Sequence, residues 1–212
     1  MIFDLHVHTK FSKCSNITDK MLLKAAKEKR IDGFVIVDHD TLDGFKWIKK
    51  ELKNLEIVPG IEIRTKHGEL MGLFIEHEIK SKGLSIEEMI DLIHDAGGMV
   101  VAPHPFDFFR RESIGNYIKN IKADGIEIFN SRCVLDYFNK LAFNYAKQKN
   151  LIQTAGSDAH FYEEIGNCLI KINGNPEKEI KSGKFKIVKA LKSNPIVHLK
   201  TKIIELRKMR LL

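Results

Sequence analysis

The chain has 212 residues and a formal charge of +7, but from Lys171 onward 12 Lys and Arg face only 3 acids. Residues 1–170 therefore hold 23 basic against 25 acidic side chains, which excludes a uniformly basic nucleic-acid coat and leaves a basic appendage on an enzyme-like body. At 43% hydrophobic the chain supports a sizeable core. No apolar run approaches the roughly 20 residues of a membrane helix, and the N-terminus carries acid and imidazole where a signal peptide is apolar.

Strand-like apolar runs fall at residues 2–8, 33–38, 57–63, 70–75, 99–102, 125–129, 151–155 and 167–172. Helix-like spacing of three and four lies between most of them. Met21, Leu22, Ala25 and Ala26 make the first such stretch, with Thr18 or Asp19 as N-cap, and Phe45, Ile48 and Leu52 make the second. Ser85 opens a third, with Glu88 completing a capping box, and the fourth runs from Asp136 to Lys149 and ends before Asn150. This alternation predicts an α/β fold with a parallel sheet or barrel. The run at 70–75 comes after its predecessor with a short turn at 65–68 between them, so that pair reads as a hairpin.

The composition turns Lys-rich near residues 174–176, which divides the chain into a body, 1–175, and a basic C-terminal segment, 176–212. The end of that segment sets Leu199, Ile203, Ile204, Leu206, Leu211 and Leu212 among basic residues. It reads as an amphipathic helix packed on the body or as a basic arm for a nucleic acid. Cys14, Cys133 and Cys168 are odd in number and lack a C-x-x-C pair, which points to a reducing cytoplasm rather than a disulfide framework.

The chemistry lies in five polar clusters, each at the downstream end of a strand-like run. The first is Asp4-Leu5-His6-Val7-His8, where alternation places Asp4, His6 and His8 on one face and Phe3, Leu5 and Val7 on the other. The others are Asp38-His39-Asp40, Glu62 after Gly60, His104 between two prolines, and Gly156-Ser157-Asp158-Ala159-His160. In an α/β barrel, active sites are built from the C-terminal ends of the strands. Mixed imidazole and carboxylate ligands without paired cysteines suit manganese, iron or zinc in a site open to water. Two metals bridged by a carboxylate can hold a hydroxide and clamp a phosphoryl group, so the pattern predicts metal-assisted hydrolysis of a phosphoester.

The elements D-L-H-V-H-T, V-D-H-D-T, G-I-E, A-P-H-P and G-S-D-A-H, in this order, resemble those of the PHP (polymerase and histidinol phosphatase) superfamily over about residues 2–172. The resemblance implies a distorted (β/α)7 TIM-like barrel with a centre of two or three divalent ions. It implies that His6, His8, Glu62 and Asp158 hold a first metal. Glu62 bridges to a second with His104, and His39 and His160 hold a third. The chain departs from the pattern at Lys13, where many members have Asp or His, and at Glu69, where many have His; Glu69 can serve as a ligand, whereas a protonated Lys cannot. Cys14 next to Lys13 reads as a non-binding loop cysteine or as a substitute thiolate.

Phosphate recognition needs cationic or N–H donors besides the metals, and Arg110, Arg111, Asn130 and Arg132 come after strand ends where such donors belong. Asp40 and His39 are the candidate catalytic pair, Asp40 as the proton donor to the leaving oxygen. His67, His77, His94 and His198 read as surface residues. The function expected is a phosphoesterase that hydrolyses a small phosphomonoester, a nucleotide or phosphorylated metabolite, through a metal-bound hydroxide. The alternatives are a nuclease acting on RNA or DNA ends and a non-catalytic subunit that binds nucleic acid through the basic segment.

Overall fold

A computed structural model of the chain describes residues 1–79 and 84–209. Leu211 and Leu212, expected to extend the last helix, lie outside the described residues. The elements run β1 (Ile2–Val7), α1 (Asp19–Lys29), β2 (Gly33–Ile36), α2 (Asp43–Glu51), β3 (Glu56–Thr65), β4 (Gly68–Leu73), α3 (Ile86–Asp95), β5 (Met99–Ala102), β6 (Gly125–Asn130), α4 (Asp136–Lys149), β7 (Ile152–Gly156), β8 (Cys168–Ile172), α5 (Pro176–Lys181), β9 (Phe185–Ala190) and α6 (Ile196–Met209).

The helix ends obey their local chemistry. Thr18 caps α1 by accepting from Met21 N, Ser85 and Glu88 form the reciprocal capping box of α3, and Asn150 ends α4 in the left-handed region. The sheet runs β7-β6-β5-β4-β3-β2-β1-β8-β9. β1, β2 and β3 are parallel, β5, β6 and β7 are parallel, and β4 is antiparallel to both its neighbours. The hairpin expected between 57–63 and 70–75 is β3–β4. It reverses one strand, so the N-terminal end of β4 sits beside the C-terminal end of β3.

The ring comes close to closing at β1, which divides its partners. Its first residues pair with β8, while its end meets the segment after β7 through a bridge between Val7 and Ala159. The result is a nearly closed seven-stranded α/β barrel with β8 and β9 continuing outside the seam. Phe3 and Leu5 pack with Val35, Val58, Met71 and Val101 in an inner core, whereas Val7 packs with α1 and α2 residues. The single face expected for Phe3, Leu5 and Val7 is thus broken by a register shift between Asp4 and Val7.

The Lys-rich segment forms α5, β9 and α6. β9 pairs with β8 as an edge strand that mixes Lys186 and Lys189 with apolar residues. α6 lies across the mouth of the barrel with its polar side inward: His198, Thr201 and Lys208 all hydrogen-bond to the body, while Leu199, Ile203 and Leu206 face outward.

Candidate metal centre

The strand ends deliver the side chains. His6 lies near the end of β1 and His8 just after it, His39 comes after β2, Glu62 and Glu69 come from the β3–β4 hairpin, His104 comes after β5, and Asp158 and His160 come after β7. All eight are buried or nearly so. Three of the residues around the site have positive φ without being glycine: Asp40 at 56°, His104 at 29° and Asp158 at 55°. Backbone strain of this kind is held in place where the surrounding structure over-determines it, commonly at functional sites.

The carboxylates divide their oxygens between neighbours. Glu62 Oε1 lies 3.3 Å from His104 Nε2 and 3.7 Å from His6 Nε2, while Oε2 lies 3.3 Å from His8 Nε2 and 3.2 Å from His39 Nδ1. Asp158 Oδ1 stands 3.5 Å from both His6 Nε2 and His8 Nε2, and Oδ2 accepts from Arg110 Nη1 at 2.6 Å. Glu69 stands 3.5 Å from His39 Nδ1 and 3.7 Å from His104 Nε2. Ligand atoms converge within 4.8 Å in three groups: His6, His8 and Asp158; His39, Glu62 and Glu69; and His8, His39 and His160.

This donor set fits divalent ions. His6 Nε2 and His8 Nε2 point at each other across 3.1 Å, and the second nitrogen of each ring is fixed from behind. His6 Nδ1 pairs with Glu127 Oε1 at 3.0 Å and His8 Nδ1 with Ser12 Oγ at 3.2 Å. His39 Nδ1 and His104 Nδ1 are buried without a hydrogen-bond partner among the described residues. Packing three carboxylates and five imidazoles into one buried cluster is costly unless cations compensate them.

The proton affinities record that crowding. Burial opposes a charge on His6, but Glu127, Asp158 and Glu62 outweigh it and raise its pKa to about 10. Burial pushes His39 down to about 3 and also holds His160 low. Against the effect of burial, His39 and His104 hold Glu62 well below the usual carboxylate range; burial and the neighbouring Glu62 push Glu69 well above it.

The other candidates fall in different places. Arg110 is anchored by Asp158, Asp107 and Asn130 and lines the central cavity of about 130 Å³. Asn130 joins the same network, donating to Glu127 and Asp158. Arg132 also lines the cavity, but its guanidinium donates to Val197 O and Thr201 Oγ1 of α6 and lies 3.2 Å from Glu164. The structure does not bring Arg111 to the cavity; it is exposed in a neighbouring groove with Arg64, Lys66 and His67. Asp40 is exposed and lines an adjoining outer cavity with Lys13, His39, Arg64 and Glu205. Cys14 is buried beside His39 and His160, where burial and then Glu205 push its thiol up.

Two acids placed by the sequence near the centre are braces. Asp4 accepts from the backbone N–H groups of Ser157 and Gly166, and Asp38 accepts from Thr9 and Ser12, which shapes the loop after β1. The sequence reading missed Glu127, which is 1% exposed and holds His6, the backbone N–H of His104, and Asn130 at once. Its signal was a lone acid inside the buried run of β6. His198 was read as a surface residue; it lines the cavity because α6 returns over the barrel mouth.

Residues 4–153 match the family model described as PHP domain, and residues 136–193 match one described as PHP-associated. The chain belongs to the PHP family. An uncharacterised protein of Methanocaldococcus jannaschii is 35% identical over 181 residues, which are 82% of this PHP chain and 71% of that protein. The 5′-3′ exoribonuclease Rnm of Salmonella typhimurium is 33% identical over 100 residues, 45% of this chain and 30% of that enzyme. Among solved structures, a two-domain protein from Bacteroides vulgatus with a PHP-like domain superposes with a TM-score of 0.72 at 13% identity, covering 96% of this chain and 69% of its own. That match supports the barrel assignment. No helix among the described residues is long and apolar enough to cross a membrane.

Proposed function

We propose that this PHP protein is a metal-dependent phosphoesterase that hydrolyses a small phosphomonoester, a nucleotide or a phosphorylated metabolite. The observation that carries the reading is that His39, Glu62, Glu69, His104, Asp158 and His160 line one cavity together with Arg110, while His6 and His8 converge with Asp158 beside it. His6, His8, Glu62 and Asp158 would hold one ion, and Glu62, Glu69 and His104 a second, with His39 and His160 at a further position. Bound divalent ions of manganese, iron or zinc supply Lewis acidity, a more acidic water and charge for a phosphoryl group.

The protein residues carry the rest. Glu127 and Ser12 fix which nitrogen of His6 and His8 faces inward. Arg110, held against Asp158, presents positive charge to a phosphate in the cavity. Asp40, which lines the outer cavity with His39, would give a proton to the leaving oxygen. α6 covers one side of the cavity, lining it with His198, Thr201 and Glu205.

A second reading, a nuclease acting at RNA or DNA ends, is supported by the likeness to Rnm. Manganese-loaded protein assayed with an aryl phosphate, nucleotides, sugar phosphates and 5′-phosphorylated oligonucleotides tests both. Phosphate release from small monoesters is the expected result. Shortening of the oligonucleotides alone would replace the first reading with the second, and inactivity across the panel would sink both.

A further inference from the structure

Of the three converging groups, two contain carboxylates, while the third, His8, His39 and His160, contains none of its own. His8 is shared with the group of His6 and Asp158. The carboxylates that border it, Glu62 Oε2 at 3.2 Å from His39 Nδ1 and Asp158 Oδ1 at 3.4 Å from His160 Nδ1, belong to the two inner groups, so a cation here has no carboxylate of its own and a further one would complete the position. The residues that face His39 and His160 across the central cavity include one acid from outside the barrel strands and their loops, Glu205 of α6. Glu205 also borders the outer cavity beside Lys13, Asp40 and His39, so it stands at the junction of the two.

The helix is fixed on both sides of that residue. One turn before it, Thr201 accepts from Arg132. Three residues after it, Lys208 donates to the carbonyls of Lys10, Ser12 and Ser15, in the loop after His8. These contacts turn the polar stripe of α6, including the three-quarters-buried Glu205 side chain, toward the imidazoles. One Glu205 oxygen is 3.1 Å from Lys202 on the helix flank.

We propose that Glu205, delivered by the C-terminal helix, supplies the carboxylate of an outer divalent-cation position built with His39 and His160. Filling that position and docking α6 are then coupled. This rests on the metal-centre reading above.

The test uses the full chain stripped of metal and titrated with Mn²⁺, comparing wild type with Glu205→Gln. Bound equivalents are counted by elemental analysis, affinities are measured by calorimetry, and amide exchange is monitored across 196–209. Wild type is expected to bind one more equivalent than the variant, or to bind its weakest equivalent at least tenfold more tightly. The tighter equivalents remain unchanged. α6 amides gain protection with that last equivalent in wild type only. Identical stoichiometry and affinities in the two proteins, or α6 exchange that ignores the last equivalent, overturn the role of Glu205 and leave the inner centre standing. Absence of any bound Mn²⁺ in both overturns the metal-centre reading as well.

Discussion

Replacing Glu127 by glutamine tests how the groups behind the metal ligands work. The carboxylate accepts from His6 Nδ1 at 3.0 Å through one oxygen, and from His104 N at 3.0 Å and Asn130 Nδ2 at 2.8 Å through the other. Glutamine keeps the shape but trades one acceptor for a donor. With its amide oxygen toward His104 and Asn130, the NH₂ meets His6 Nδ1 and forces that nitrogen to accept. The ring proton then moves to Nε2, the atom that faces His8 at 3.1 Å and Asp158 at 3.5 Å, and a protonated Nε2 cannot bind a metal. The opposite orientation sets NH₂ against two donors and leaves them unpaired, at a cost of about 1–3 kcal/mol each, so the first orientation prevails. Loss of such an outer partner weakens metal binding by roughly 10–100-fold, or about 1.4–2.8 kcal/mol. Chelator competition gives the dissociation constant, and ¹⁵N NMR of the imidazoles gives the tautomer. A dissociation constant within twofold of wild type would refute the reasoning.

Four further outcomes are expected. A Cβ on Gly156 would lie 2.3 Å from His6 Cβ and 2.9 Å from Glu127 Oε1, so Gly156→Ala should lose about 1–3 kcal/mol in denaturant unfolding and bind metal more weakly; an unchanged midpoint and affinity would count against this packing. Asp40→Asn should keep its metal content and lose roughly 10²-fold in turnover, and unchanged turnover would remove Asp40 from the mechanism. Against the effect of burial, the neighbouring carboxylates leave His6 protonated up to about pH 10 and raise His8 as well, so loading metal at pH 7 should release at least one proton and affinity should rise with pH. Calorimetry in buffers of different ionisation heat that showed no proton release would contradict it. Burial raises Asp4 from 3.8 to about 6 despite the backbone donors around it. Its contribution to stability is therefore full below pH 3.8 and lost as pH rises through about 6. In metal-free protein, Asp4→Asn should gain on wild type across that window and level off above it, as read by urea unfolding; a difference independent of pH would show that Asp4 does not titrate there.

The residues of the candidate metal centre were legible because each strand-end cluster announces itself locally: an apolar run, then His, Asp or Glu where the barrel opens. Glu69 required the resemblance as well, since the reversed β4 carries its ligand at the start of the strand rather than the end. Glu127 escaped because it sits inside its run, between Ile126 and Ile128, where the strand-end pattern does not reach. A charge inside a central strand is nonetheless a signal of its own, since such a residue is buried and needs partners. Which face of the C-terminal helix turns inward was not legible for a different reason. Its apolar residues, Leu199, Ile203, Ile204 and Leu206 among them, suggest by the usual rule for a helix over a hydrophobic layer that an apolar face turns inward, yet Leu199, Ile203 and Leu206 are exposed. The surface beneath α6 is instead a cavity of imidazoles, carboxylates and arginines, and water must be replaced there by groups that can hydrogen-bond. His198, Thr201, Glu205 and Lys208, spaced three, four and three apart, form the face that fits such a surface. A helix whose polar stripe turns inward therefore marks a polar site below it. In this chain, that inversion sets part of the basic end of the sequence over the candidate metal centre.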